Sequence, residues 1–214
     1  MPLSQILLTA PNGLRIELLE RSGFRSFKTA APMHYPSRWH RDLLIQATLD
    51  PAIEAIEPGP AGRCDAYAFR IFVLVAGVRR LLIAVRDMDD VSERNAVADG
   101  FPIPRSYVLS EPRCSAARTV WSARTTPVPA GDRLRVLRLF DDGATDVTLS
   151  TAADAVSGRS VDPTEAVLAL VCAGQLEIDL RQPLSPETLL RRRGRAASAM
   201  QPSSCIEPAA WSAA

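Results

Sequence analysis

The stretch from Ser37 to Asp87 limits what this chain can become, because it joins four apolar segments through short breaks marked by proline and glycine. Trp39, Leu43, Leu44, Ala47 and Leu49 recur at helical spacing, and Pro51 cannot extend a helix. Ile53 and Ile56 then sit in a short extended segment closed by Pro58-Gly59-Pro60. Two runs rich in β-branched and aromatic residues follow, Tyr67–Val75 and Val78–Asp87, facing each other across Ala76-Gly77 as an antiparallel hairpin. A hairpin this apolar on both faces must be covered on both sides. The expected order is helix, strand, strand, strand, and it forms the core of a first domain.

The same stretch resembles the TnsA endonuclease, the subunit of heteromeric transposases that cuts the 5′ ends of the element. That resemblance implies a restriction-endonuclease-like fold of the PD-(D/E)xK type. In the family a helix opens with Ser-x-x-Glu-Arg and runs to Asp-Pro with an aliphatic strand after it. A Tyr-x-x-Asp strand and an aliphatic-Glu-Val-Lys strand follow. Ser37, Arg41, Asp50-Pro51, Ile53, Tyr67 and Ile83-x-Val85 hold the scaffold positions here. The chemical positions differ: the helix glutamate falls on His40, the strand aspartate on Arg70, the second carboxylate on Ala84 and the lysine on Arg86.

Cutting a phosphodiester on this frame requires carboxylates that converge on a hard divalent cation. Arg70 and Arg86 would put permanent positive charge where the cation sits, and Ala84 offers no ligand. The expectation is a degenerate catalytic site that binds no metal and needs no cofactor. An alternative stays open, in which Asp65, Asp87, Glu54 or Glu57 supplies a relocated carboxylate.

Composition fits a chain outside membranes. No apolar run reaches the length of a bilayer helix, and Met1-Pro2-Leu3-Ser4 lacks the basic region of a signal peptide, so a cytoplasmic protein is expected. Lys+Arg 25 against Asp+Glu 24 is nearly neutral, and Lys28 is the only lysine. Cys64, Cys114, Cys172 and Cys205 are scattered without zinc or disulfide spacing. His40, beside Arg41 and with no nucleophile near it in sequence, reads as a packing or surface residue rather than a base.

Around this core the remaining elements can be laid out in order. Leu14–Glu20 reads as a short strand or a helix turn, and Arg21, Arg25 and Lys28 as a basic arm or a solvated loop. Asp87–Asp90 reads as an acidic turn, Val91–Gly100 as a helix and Ser106–Leu109 as a strand. Ser110 is placed as the cap of a helix reaching Trp121, which closes a nuclease-like domain at 1–124. Residues 125–131, T-T-P-V-P-A-G, have linker composition. Beyond them, helices are expected at Asp132–Phe140, Thr148–Val156 and from Asp162 to Gly174. Gln175–Leu180 alternates as a strand, and Ser185-Pro186-Glu187 reads as the cap of a last helix, T-L-L-R-R-R. The outline for 132–195 is a small, mostly helical, winged-helix-like domain. A disordered tail is expected at 196–214.

Arg181, Arg191, Arg192, Arg193 and Arg195 form the densest positive cluster, read either as a phosphate-facing patch or as a charged, soluble end. Together with Arg70 and Arg86 they are the candidate nucleic-acid contacts. The function this favours is a TnsA-like protein that no longer cuts and serves as a DNA-binding or complex-assembling subunit. DNA is then the expected partner, and the resemblance implies a transposase or ATPase subunit beside it. An active metal-dependent endonuclease and a protein-binding module without DNA contact remain as alternatives.

Overall fold

A computed structural model describes residues 23–60, 69–86, 100–141, 146–158 and 161–193. The first helix, α1 (Arg38–Leu49), is followed by β1 (Ile53–Pro58), β2 (Phe69–Val75), β3 (Val78–Val85) and β4 (Gly100–Pro104). These four strands form one mixed sheet in the order β1-β2-β3-β4, antiparallel except for the parallel pair β3–β4. The hairpin closes at Ala76 (φ 50°) and Gly77 (φ 73°), a left-handed pair whose twist matches that of the strands it joins. Parallel neighbours cannot be joined by a tight turn. The helix expected at 91–100 falls in that connection, outside the described residues except for Gly100, which is the first residue of β4.

Strand register divides the sheet into two faces, because directly paired residues point the same way and successive residues alternate. Phe69 pairs with Ala84, and Ala84 with Ile103. With Ile71, Val73 and Leu82 they make the inner face, which joins the main core under α1. Ile83 and Val85 lie on the other face and are also buried, in keeping with a hairpin covered on both sides.

Two strand and helix expectations are corrected. Residues 106–109 are not a strand: Arg105–Val108 forms a helical turn, α2, and the strand lies before it in Gly-Phe-Pro-Ile-Pro. Prolines 102 and 104 hide that strand from sequence reasoning. They are tolerated because, among the described residues, β4 is an edge with β3 as its only neighbour. The closing segment T-L-L-R-R-R is likewise not a helix. Leu189–Arg192 is a strand, β7, between β5 (Val147–Thr148) and β6 (Leu176–Ile178). Leu190, fully buried there, gains more from pairing on both sides than a short exposed helix could offer. Ser185 closes a turn with Thr188 instead of capping a helix.

The other helices fall close to expectation: α3 (Arg113–Ser122), α4 (Ala130–Arg138), α5 (Leu149–Asp154) and α6 (Pro163–Cys172). Asp162 caps α6 by accepting from the Glu165 N–H at 2.9 Å. Ser110 does not cap α3; the Glu111 carboxylate accepts from the Ser115 N–H instead. Val136 on α4 and Phe140 in the turn after it are buried, while Leu134 is exposed. The segments either side of residues 125–131 share one core: α6 packs on α3, and the Cys172 thiol donates to the Val120 carbonyl at 3.1 Å.

The strap at 24–33 crosses this junction. Phe24 stacks on Trp121 with centroids 5.2 Å apart. Lys28 is buried, so it belongs to no basic arm or solvated loop; its ammonium donates to the Asp50 carbonyl at 2.5 Å and the Ala47 carbonyl at 3.3 Å, at the C-terminal end of α1. Arg25 is exposed. Leu14–Glu20, Arg21, Cys64, Asp65, Tyr67, Asp87–Asp90, Arg195, Cys205 and the tail lie outside the described residues.

Burial, and then the nearby Arg193 charge, lower the Lys28 pKa to about 7. Between that value and the ordinary pKa of an unfolded lysine, only the unfolded chain holds the proton. The penalty of burying the charge is therefore complete below pH 7 and fades as pH rises. Urea denaturation should show stability rising between pH 7 and 9, by up to about 1 kcal/mol per pH unit. Lys28→Met should flatten that rise, and an unchanged slope would refute the assignment.

Candidate functional site: an arginine cleft at the mouth of the first helix

Three elements converge at one corner of the sheet: the start of α1, the end of β3, and α2 with the adjoining face of α3. Between them lies an open cleft of about 510 Å³ lined by Ser37, Trp39, His40 and Asp42, by the arginines Arg38, Arg86, Arg105 and Arg118, and by Pro36 and Leu109. Four guanidinium groups thus face one carboxylate. That carboxylate is already engaged: Asp42 accepts from Arg118 twice, Nε to Oδ1 at 3.1 Å and Nη2 to Oδ2 at 2.6 Å. The hydrogen bond to Asp42 holds the Arg118 guanidinium well above its usual range. Among the described residues, Arg38, Arg86 and Arg105 have no carboxylate within ion-pair distance.

His40 enters the same cleft. It is 4% exposed, its ring lies 3.8 Å from that of Trp39 and meets Phe69 edge-on at 5.0 Å. Burial lowers its pKa to about 4, so the imidazole is neutral at physiological pH. Ser37 Oγ lies 2.8 Å from Nδ1, while Nε2 is buried without a hydrogen-bond partner among the described residues. Ser37 spends its hydroxyl on this contact and does not cap α1, whose first turn holds no acidic residue. An uncapped N-terminus with Arg38 in its first turn carries positive charge where the helix dipole is already positive.

The four positions that the resemblance marks as chemical do not all meet. His40 and Arg86 line the cleft. Ala84 lies behind it, fully buried on the inner face. Arg70 is the departure: it pairs with Ile83 and so sits on the opposite face, and the inner-face residue opposite Ala84 is Phe69. Phe69, and not Arg70, therefore shares the inner face with Ala84. Glu57 pairs with Arg79 at 2.8 Å and Glu54 is exposed, so neither reaches the cleft lining. The donor set does not fit a hard divalent cation, and among the described residues no three His, Cys, Asp or Glu side chains gather to hold one.

The terminal arginines are corrected in their electrostatics. Arg191 pairs with Asp146 at 2.5 Å, Arg192 with Asp141, Arg181 with Asp179 at 2.7 Å and Arg193 with Glu177 at 4.0 Å. Each of these four described arginines meets a carboxylate in space.

Sequence reasoning missed Arg38, Arg105 and Arg118. The one local signal was Arg38 in the first helical turn, against the dipole. Nothing local ties Arg105 to Arg86. No protein-family model, curated protein or solved structure matches this chain. Among the described residues, no helix is long and apolar enough to cross a membrane.

Stability should separate the two kinds of cleft residue. Asp42→Asn breaks a pair whose carboxylate is buried and should cost about 2 kcal/mol. Arg38→Glu relieves the dipole conflict and should raise stability by about 0.5 kcal/mol. Thermal denaturation at low salt reads both, and a destabilised Arg38→Glu would mean that Arg38 holds the fold.

Proposed function

We propose that this chain is a TnsA-like nuclease-fold protein that no longer cuts, acting as a DNA-binding or complex-assembling subunit. The order α1, β1, β2, β3, β4, with β3 and β4 parallel, supports the restriction-endonuclease-like reading of 23–122. The observation that carries the function is the cleft: where such a fold needs converging carboxylates, a neutral imidazole and three arginines without a carboxylate partner among the described residues line one cleft. Arginine forks suit phosphate oxygens and cannot act as metal ligands or as bases.

The second half supports a winged-helix reading. Its order is helix, short strand, two helices and two strands, with the sheet arranged β5-β7-β6. The third helix of such a module commonly enters a DNA groove. Here α6 has Ala166–Cys172 buried, packed in part on α3. In this protein the module braces the nuclease-like half, and the DNA contact falls to the cleft.

Supercoiled plasmid incubated with the protein and magnesium or manganese should stay intact. Reproducible nicking that Asp65→Ala or Asp87→Ala abolishes would establish the endonuclease alternative instead. Duplex DNA should bind with a steep salt dependence. Arg86→Glu with Arg105→Glu should weaken it roughly tenfold or more and flatten the log–log salt slope by roughly two. Arg133→Glu, on exposed α4, is the charge control. A wild-type protein with no duplex affinity at low salt would leave the protein-binding reading in first place.

A further inference from the structure

We infer that the cleft seats a terminal phosphate monoester, the phosphorylated end of a DNA strand, on Arg38, Arg86 and Arg105. This rests on the DNA-binding reading and narrows it from strand interior to strand end.

Charge is the first ground. After Asp42 and Arg118 neutralise each other, three guanidinium groups remain unpaired among the described lining residues. The single negative charge of an internal phosphodiester leaves two of them uncompensated. A monoester brings close to two negative charges and three acceptor oxygens. The second ground is the open end of α1. Its first-turn N–H groups lack a side-chain cap, and its dipole favours an anion at this place.

His40 supplies the third. Arginines alone would serve any surface phosphate, whereas a buried, unpartnered imidazole nitrogen is costly unless a ligand meets it. With Nδ1 accepting from the Ser37 hydroxyl, Nε2 carries the hydrogen and donates to a phosphoryl oxygen. The half-buried Trp39 ring, tilted against His40 at the cleft wall, offers the terminal base an apolar face. An interior nucleotide would have to leave its duplex stack to use that face; an end can fray.

Among the described residues, the charged and titratable groups facing the site are Arg38, His40 and Asp42 on α1, Arg86 after β3, Arg105 on α2 and Arg118 on α3. Guanidinium groups stay charged, and His40 stays neutral above about pH 4. A monoester gains its second charge near pH 6. The preference for a phosphorylated end therefore follows the ligand's own titration.

Fluorescence anisotropy on the full chain reads this, using one short duplex with 5′-phosphate, 3′-phosphate or hydroxyl ends and a closed minicircle as competitor. A phosphorylated end should bind roughly 10- to 100-fold more tightly than hydroxyl ends at pH 7.5. That advantage should shrink at pH 5 and vanish in Arg86→Gln with Arg105→Gln. Both arginines are exposed, so circular dichroism should show the fold unchanged. Equal affinity for phosphorylated and hydroxyl ends, with the minicircle competing fully, overturns the monoester site and leaves the DNA reading standing. Calorimetry with deoxynucleoside monophosphate and inorganic phosphate separates the other case. Arginine-dependent binding of these without any duplex affinity keeps the monoester site, assigns it to a free nucleotide and removes the DNA reading. Binding of neither duplex nor monophosphate removes both.

Discussion

Burial of α1 is the constraint on which the rest of the structure depends. From Asp42 to Leu49 every residue is buried, three of them polar. Each polar side chain therefore needs a partner, and two of the three find it on another element. Asp42 takes Arg118 from α3, and Gln46 donates to the Val108 carbonyl of α2 at 2.7 Å. Thr48 turns back to the Leu44 carbonyl, and the end of the helix receives the Lys28 ammonium. A helix enclosed on these terms cannot shift or rotate without stranding a polar group. Its opening turn is held just as firmly, and that is where the cleft lies.

Sequence reasoning reached α1, the first three strands, the turn at Ala76-Gly77 and the cap at Asp162, because local chemistry decides each of them. It failed where a neighbour decides. Phe101–Pro104 is a strand because β3 offers it an edge, and Leu189–Arg192 is a strand because two partners flank Leu190. The cleft was half legible. Resemblance marked His40 and Arg86, which line the cleft, together with Arg70, which lies on the opposite face of the sheet, and strand phase is visible only once Phe69 is paired with Ala84. Arg105 was beyond reach, since its meeting with Arg86 depends on a strand that had not been recognised.

The fate of the cations shows why charge density along a chain is a poor guide to charge in space. The crowded arginines of β7 are each answered by a carboxylate from another loop or strand. Of the sparse ones in the cleft, separated by up to dozens of residues, Arg38, Arg86 and Arg105 have no carboxylate partner among the described residues. Local density reported a solved electrostatic problem, and the unsolved one was distributed.

The turn after α6 ties the molecule together at a distance. Gly174 has φ 71°, and a side-chain carbon there would lie 2.7 Å from the Phe27 ring. The Arg193 guanidinium stands over that same ring, 4.7 Å from its centre. Strap, turn and closing strand are stacked in one pile, so the first and last described parts of the chain are spatial neighbours. Neither half owns a complete hydrophobic interior. Severed within 126–129, the two pieces would be complementary fragments whose folding is a bimolecular event, each the template on which the other becomes ordered.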